Sequence, residues 1–206
     1  MALAAPLRLP LIRKMTSLIL VRHGHSTYNG KGVYTGHTDA PLDEVGREQA
    51  RQLARLLTDT HIDAVYTSDL CRTVETVRPT AEQHGLAVCE DADLREIDMG
   101  DFTGLPYDEV AQRFPAEYAA FCADIRNPAK GGESIAAASA RILAALQRIL
   151  AAHGGEQVLI CSHALTSRLV YTLAQGGEIA DVMRSPLPYN ATPVYYRFTD
   201  GVFSPA

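Results

Sequence analysis

The sequence lacks tryptophan altogether and has four cysteines in 206 residues. Cys71, Cys89, Cys122 and Cys161 show no C-x-x-C spacing and no paired framework, which argues against a thiolate metal site and a disulfide scaffold. Reduced, buried thiols in a cytoplasmic protein are the expectation. Cys71, beside Arg72, is expected to have a lowered pKa and some sensitivity to oxidants. Basic residues are also scarce: 19 Lys and Arg face 24 Asp and Glu, for a net charge of -5. That balance excludes a nucleic-acid or anionic-membrane binder, because no basic surface offsets the overall repulsion. No apolar run is expected to approach the ~20 residues of a membrane-spanning helix, and repeats and low-complexity stretches are missing. What remains, 47% hydrophobic, suits one well-packed domain.

Residues 1–16 carry Pro6, Arg8, Pro10, Arg13 and Lys14 and no acid. Those charges do not precede an uninterrupted apolar core, so the segment does not read as a secretory signal. It is expected to be a dispensable extension, with Met15 an alternative start and residues 17–206 the domain.

Along the domain, short apolar runs alternate with amphipathic stretches, which predicts a three-layer α/β/α sandwich with a mostly parallel sheet. Strands are expected at 18–21, 64–68, 86–89 and 158–161. Helices are expected from Asp43 to Thr58 and from Ser134, its cap, to Ala152. Val194–Phe198, a Thr-Asp-Gly turn and Val202-Phe203 predict a hairpin that adds an antiparallel edge.

The chemistry-bearing residues stand where these runs end. Leu18-Ile19-Leu20-Val21 leads into Arg22-His23-Gly24, which delivers a cation and a nucleophile to one place if Gly24 permits an immediate turn. Val158–Ser162 leads into His163, and Arg72 opens the helix after the strand at 64–68. Exits of parallel strands lie on one sheet edge and share a pocket.

With these residues in place, the sequence from Leu18 to Phe203 resembles the histidine phosphatase superfamily, in its phosphoglycerate-mutase-like branch. Six blocks occur in family order: Arg22-His23-Gly24 with Ser26 and Asn29; Tyr34-Thr35-Gly36 with Pro41-Leu42 and Gly46; Ser68–Thr73; Leu94-Arg95-Glu96 with Gly100 and Gly104; Gly132-Glu133-Ser134; and Ser162-His163 with Arg168. The resemblance implies that His23 is the nucleophile, Glu96 the proton donor, and Arg22, Arg72 and His163 the phosphate clamp, with no cofactor. Ser26, Asn29, Thr35, Gly36 and the backbone N–H of Ala164 are then expected around the phosphate. Guanidinium forks suit a phosphoryl group whose charge spreads over its oxygens. Two arginines favour a neutral, nucleophilic His23, whose second nitrogen is expected to donate to a backbone carbonyl. Glu96 is expected to be partly desolvated. The family more often has Glu or Gln where His25 stands, and Gly where Ala164 stands.

A metal site built on His23, His25 and His163 is a weaker reading, since Arg22 would repel a dication. A non-catalytic phospholigand binder needs neither His23 nor Glu96. The segment Ile97–Gly131, with its aromatics, reads as a lid of short helices that sets specificity for a small phosphorylated metabolite. Its three cations, Arg113, Arg126 and Lys130, set beside Asp98 and Asp101, favour a phosphomonoester phosphatase over a cofactor-dependent phosphoglycerate mutase. A homodimer is left open.

Overall fold

A computed structural model describes residues 14–206. The expected dispensable extension lies, for residues 1–13, outside the described residues. The first strand, β1 (Thr16–Arg22), starts at Thr16. That residue therefore belongs to the domain rather than to the extension: its buried hydroxyl donates to the Leu150 carbonyl at 2.8 Å.

The order continues with α1 (Glu44–Leu56), β2 (Ala64–Thr67), α2 (Cys71–His84), β3 (Val88–Glu90), α3 (Tyr107–Arg113), α4 (Pro115–Ala123), α5 (Ile135–Ala152), β4 (Gln157–Ser162), α6 (Ala164–Ala174), β5 (Pro193–Thr199) and β6 (Val202–Pro205). The six strands form one sheet in the order β3-β2-β4-β1-β5-β6. β1 to β4 are parallel, while β5 and β6 run antiparallel at one edge. The hairpin turns on Asp200 and Gly201, both at positive φ, as a tight two-residue turn requires. β3 begins two residues later than the apolar run starting at Leu86 suggests.

Alternation along the central strands builds the layers. Leu18 and Leu20 of β1, with Val158 and Ile160 of β4, face Ile142 and Leu146 of α5 and Leu169 of α6. Ile19, Val21, Leu159 and Cys161 point the other way, toward Leu53 of α1, Leu57 just past its end and Val77 of α2. Asp43 caps α1 by accepting from Gly46 N–H, and Ser134 caps α5 by accepting from Ala137 N–H. At 18 residues α5 is, against expectation, apolar and long enough to cross a membrane. Its Ile142, Leu146 and Leu150 are instead packed in the core.

The four cysteines are free, but only Cys161 is buried; Cys89 and Cys122 are exposed. Cys71 reverses its expectation. Burial, with the Asp39 carboxylate beside it, pushes its thiol up to about 12, outweighing Arg72.

Candidate active site

β1 and β4 run side by side in register, with Arg22 opposite Ser162, so the residues that follow them emerge together. His23 N–H continues the ladder to the Ser162 carbonyl at 3.0 Å. The His23 and His163 rings stand 5.3 Å apart, centroid to centroid. β2 exits on the same edge, and its Ser68 hydroxyl lies 2.9 Å from His163 Nε2. Two residues into α2, Arg72 is 1% exposed.

Gly24 does more than release the chain. Its φ is not in the left-handed region; its hydrogen atoms make room for Gly46 of α1, whose carbonyl oxygen would lie 2.9 Å from a Cβ added at position 24. A Cβ on Gly46 would in turn meet the His25 carbonyl at 2.0 Å. These two glycines let the first turn of α1 press on the loop after His23, and Thr76 of α2 accepts the Gly24 N–H at 2.8 Å.

His23 Nδ1 is 2.7 Å from the Gly24 carbonyl. A carbonyl only accepts, so Nδ1 carries the proton and Nε2 keeps its lone pair. Burial, then the Arg72 charge, lowers the His23 pKa to about 3, so the ring is neutral at ordinary pH. His163 is pushed well below its usual value by the same two causes, burial first.

The clamp arginines are held by carbonyls rather than by acids. Arg72 donates to Thr38 and Gly36 at 2.7 and 3.0 Å, and Arg22 to Pro188 at 3.3 Å. Glu96 crosses from the other side: its carboxylate accepts from the N–H groups of Ala164 and Leu165, at 3.0 and 3.3 Å, and from its own neighbour Ile97 at 3.0 Å. It thus sits at the N-terminus of α6.

Arg22, His23, Asn29, Thr35, Gly36, Arg72, Glu96 and Ala164 line one cleft of about 810 Å³. Two of the expected site residues do not. Ser26 is 1% exposed and donates its hydroxyl to Asn29 Oδ1 at 2.8 Å, so it orients Asn29 instead of facing the cleft. His163 is 0% exposed and stands behind His23, with its Nδ1 free of any hydrogen-bond partner. Ala164 reaches the cleft, but its N–H serves Glu96 and is not a donor kept for phosphate. His25 turns away to Asp43, with Nδ1 2.6 Å from its carboxylate, and does not line the cleft with His23.

Several residues went unnoticed in the sequence. Arg141, on α5, donates to the carbonyls of Asp93, Arg95 and Glu96 and to the Glu133 carboxylate, pinning the loop that carries Glu96. His37 Nε2 donates to the Glu96 carbonyl at 2.8 Å. From the far end of the chain, Asn190 donates to the His23 carbonyl at 2.6 Å and Ala191 N–H to the Arg22 carbonyl at 2.7 Å. An arginine seven residues into a helix, or an asparagine in a Pro-rich loop, has no local signature that marks such contacts.

Opposite the clamp, α3 and α4 gather Tyr34, Phe114, Tyr118 and Phe121 around Phe102, with ring centroids 5.6 to 6.3 Å from it. These aromatics pack on one another and belong to the core cluster that α5 shares with the sheet. Tyr34, Tyr107, Tyr118 and Phe121 also form part of the cleft wall. Arg113, Arg126 and Lys130 are paired with Glu109, Asp124 and Glu117.

The pattern of the histidine phosphatase superfamily (branch 1) matches residues 18–205. Phosphoserine phosphatase 1 of Hydrogenobacter thermophilus is 34% identical over 170 residues, spanning 81% of this chain and 79% of its own. Phosphoglycerate mutase-like protein 4 of Arabidopsis thaliana is 39% identical over 163 residues, spanning 77% and 70%. Among solved structures, YhfR of Bacillus stearothermophilus superposes with a TM-score of 0.85 at 29% identity, over 93% of this chain and 95% of that one. With that match running through both strand exits and the acid loop, this chain belongs to branch 1 of the histidine phosphatase superfamily.

Proposed function

We propose that His23, Glu96, Arg22 and Arg72 are the catalytic groups of a phosphomonoester hydrolase that works through a phosphohistidine. The observation that carries this reading is the tautomer of His23: Nδ1 is committed to Gly24, and Nε2 stands neutral beside two guanidinium groups. Nε2 attacks phosphorus while the bond to the leaving oxygen breaks. Arg22 and Arg72 hold the phosphoryl oxygens as their charge shifts in the transition state. Glu96, in its protonated form, gives its proton to the leaving oxygen. Its carboxylate then takes a proton from the water that attacks phosphohistidine, which returns free His23, the acid form of Glu96 and inorganic phosphate. His163, buried behind His23 with its Nε2 beside the Ser68 hydroxyl, backs the nucleophile rather than lining the cleft.

The substrate is a small phosphorylated metabolite, and the chemistry requires no metal. Unpaired thiols suit the cytoplasm, where we place the enzyme. A mutase is the second reading, because it uses the same catalytic groups. Against it, the three cations of the 97–131 segment are spent on neighbouring acids and leave that wall without a grip on a second phosphate. Incubation with 3-phosphoglycerate and a trace of 2,3-bisphosphoglycerate separates the two. Free phosphate should appear faster than 2-phosphoglycerate, and interconversion that outruns release would establish the mutase instead.

A further inference from the structure

Among the described residues, three arginines have a buried Nε without a hydrogen-bond partner, and all three line the cleft: Arg22, Arg72 and Arg168. The first two form the proposed phosphate clamp. Arg168, on α6, repeats their pattern one step away. Among the described residues no carboxylate lies within ion-pair distance of it, and its side chain makes only long contacts with Met183, 3.4 Å to the carbonyl and 3.8 Å to the sulfur. The other arginine of the cleft, Arg184, is paired with Asp181 at 2.8 Å.

Helix geometry fixes where Arg168 acts. Ala164 and Arg168, four residues apart, share one face of α6, and both line the cleft. Helical side chains lean toward the N-terminus, so the guanidinium points back toward the strand exits. The offset between the two positions is about 6 Å along the axis. The Arg168 charge is also felt at Arg22, whose pKa is lowered by burial first and by Arg168 among the charges. An unpaired cation so near another is unfavourable unless an anion answers it.

We infer that Arg168 holds a carboxylate on the leaving group, so that the cleft selects phosphate esters of short hydroxy or amino acids. This rests on the phosphatase reading only in taking Arg22 and Arg72 as the phosphate end. The phosphate end at Arg22 and Arg72 and the free fork of Arg168 line one cleft, so a short ester with phosphate at one end and carboxylate at the other can meet both. A single planar fork fits one carboxylate side-on. A second phosphate would call for a further free cation, and Arg113, Arg126, Lys130 and Arg184 are all paired.

Two matched pairs test this on the full chain. Phosphate release is followed with 3-phosphoglycerate and with glycerol 1-phosphate, which replaces the carboxylate by a hydroxymethyl group. Binding of phosphoglycolate and of ethyl phosphate is measured by titration calorimetry, which needs no turnover. The wild-type chain should favour the carboxylated member of each pair by about 10- to 100-fold. Arg168→Met should bring both ratios to within about threefold, with Arg168→Lys between them. Equal handling of the pairs by the wild-type chain, or a preference that survives Arg168→Met, overturns the assignment, as does failure to bind any of these esters. A preference for 2,3-bisphosphoglycerate over 3-phosphoglycerate that disappears in Arg168→Met would put a second phosphate there and overturn it too. Discriminating binding without hydrolysis would instead sink the phosphatase reading and leave the Arg168 site standing, whereas hydrolysis without discrimination would do the reverse.

Discussion

The clamp at the sheet edge and the wall across the cleft are made from different materials. At the edge, Arg22, Arg72 and His163 each have a buried nitrogen left unpartnered, and carbonyls, rather than acids, hold the two guanidiniums. Across the cleft, α3 and α4 are an aromatic cluster about Phe102 whose charged residues cancel in local pairs. Leaving a buried donor without a partner costs stability. A fold keeps such donors where an anion supplies the missing bonds, so the edge is built for charge and the wall for shape.

The sharpest way to break this contrast is to remove the nucleophile. His23→Ala should lower turnover by about 10⁴-fold or more and abolish the acid-labile phosphoenzyme formed from labelled substrate. An adduct that persists in the variant would move the nucleophile elsewhere.

Glu96→Gln keeps the shape of the side chain and removes its proton. Turnover of alkyl phosphates should fall by about 10²- to 10⁴-fold, and that of aryl phosphates much less, because a good leaving group needs little protonation. Rates that fall equally for both would make Glu96 a binding residue.

A smaller effect belongs to the buried imidazole. The unfolded chain protonates His23 near pH 6.5, whereas the native ring resists until about pH 3. Stability from this residue is therefore complete above pH 6.5 and is lost as the pH falls toward 3. The slope is about 1.4 kcal/mol per pH unit, or about 3–6 °C in Tm between pH 6 and pH 5. Thermal melts of wild-type protein and His23→Gln should differ in that slope, and identical slopes would show that the ring titrates normally.

On the wall, Tyr118→Ala should leave kcat nearly unchanged while raising KM about tenfold at most, by an amount that differs with the shape of the substrate. A large fall in kcat for every substrate would mean that the wall takes part in the chemistry.

The motif blocks already carried much of this. Hydrophobic alternation in β1 and β4, the caps Asp43 and Ser134, and the Asp200-Gly201 turn are local, and so they could be read before any tertiary contact was known. So could the arrival of Arg22, His23, Arg72 and His163 at one edge, since parallel strand exits share an edge. What the sequence could not express was the direction of a side chain once it arrives. Ser26 turned to Asn29, His25 to Asp43 and the Ala164 N–H to Glu96, because each found a nearer partner than the cleft. Cys71 sits beside Arg72 in sequence, yet its pKa follows burial and Asp39, whose backbone lies more than thirty positions away. Arg141 and Asn190 gained their places only by long-range packing. Local pattern determined which chemistry reaches the edge; tertiary structure decided which donors stay open there, because hydrogen-bond satisfaction depends on every neighbour in space.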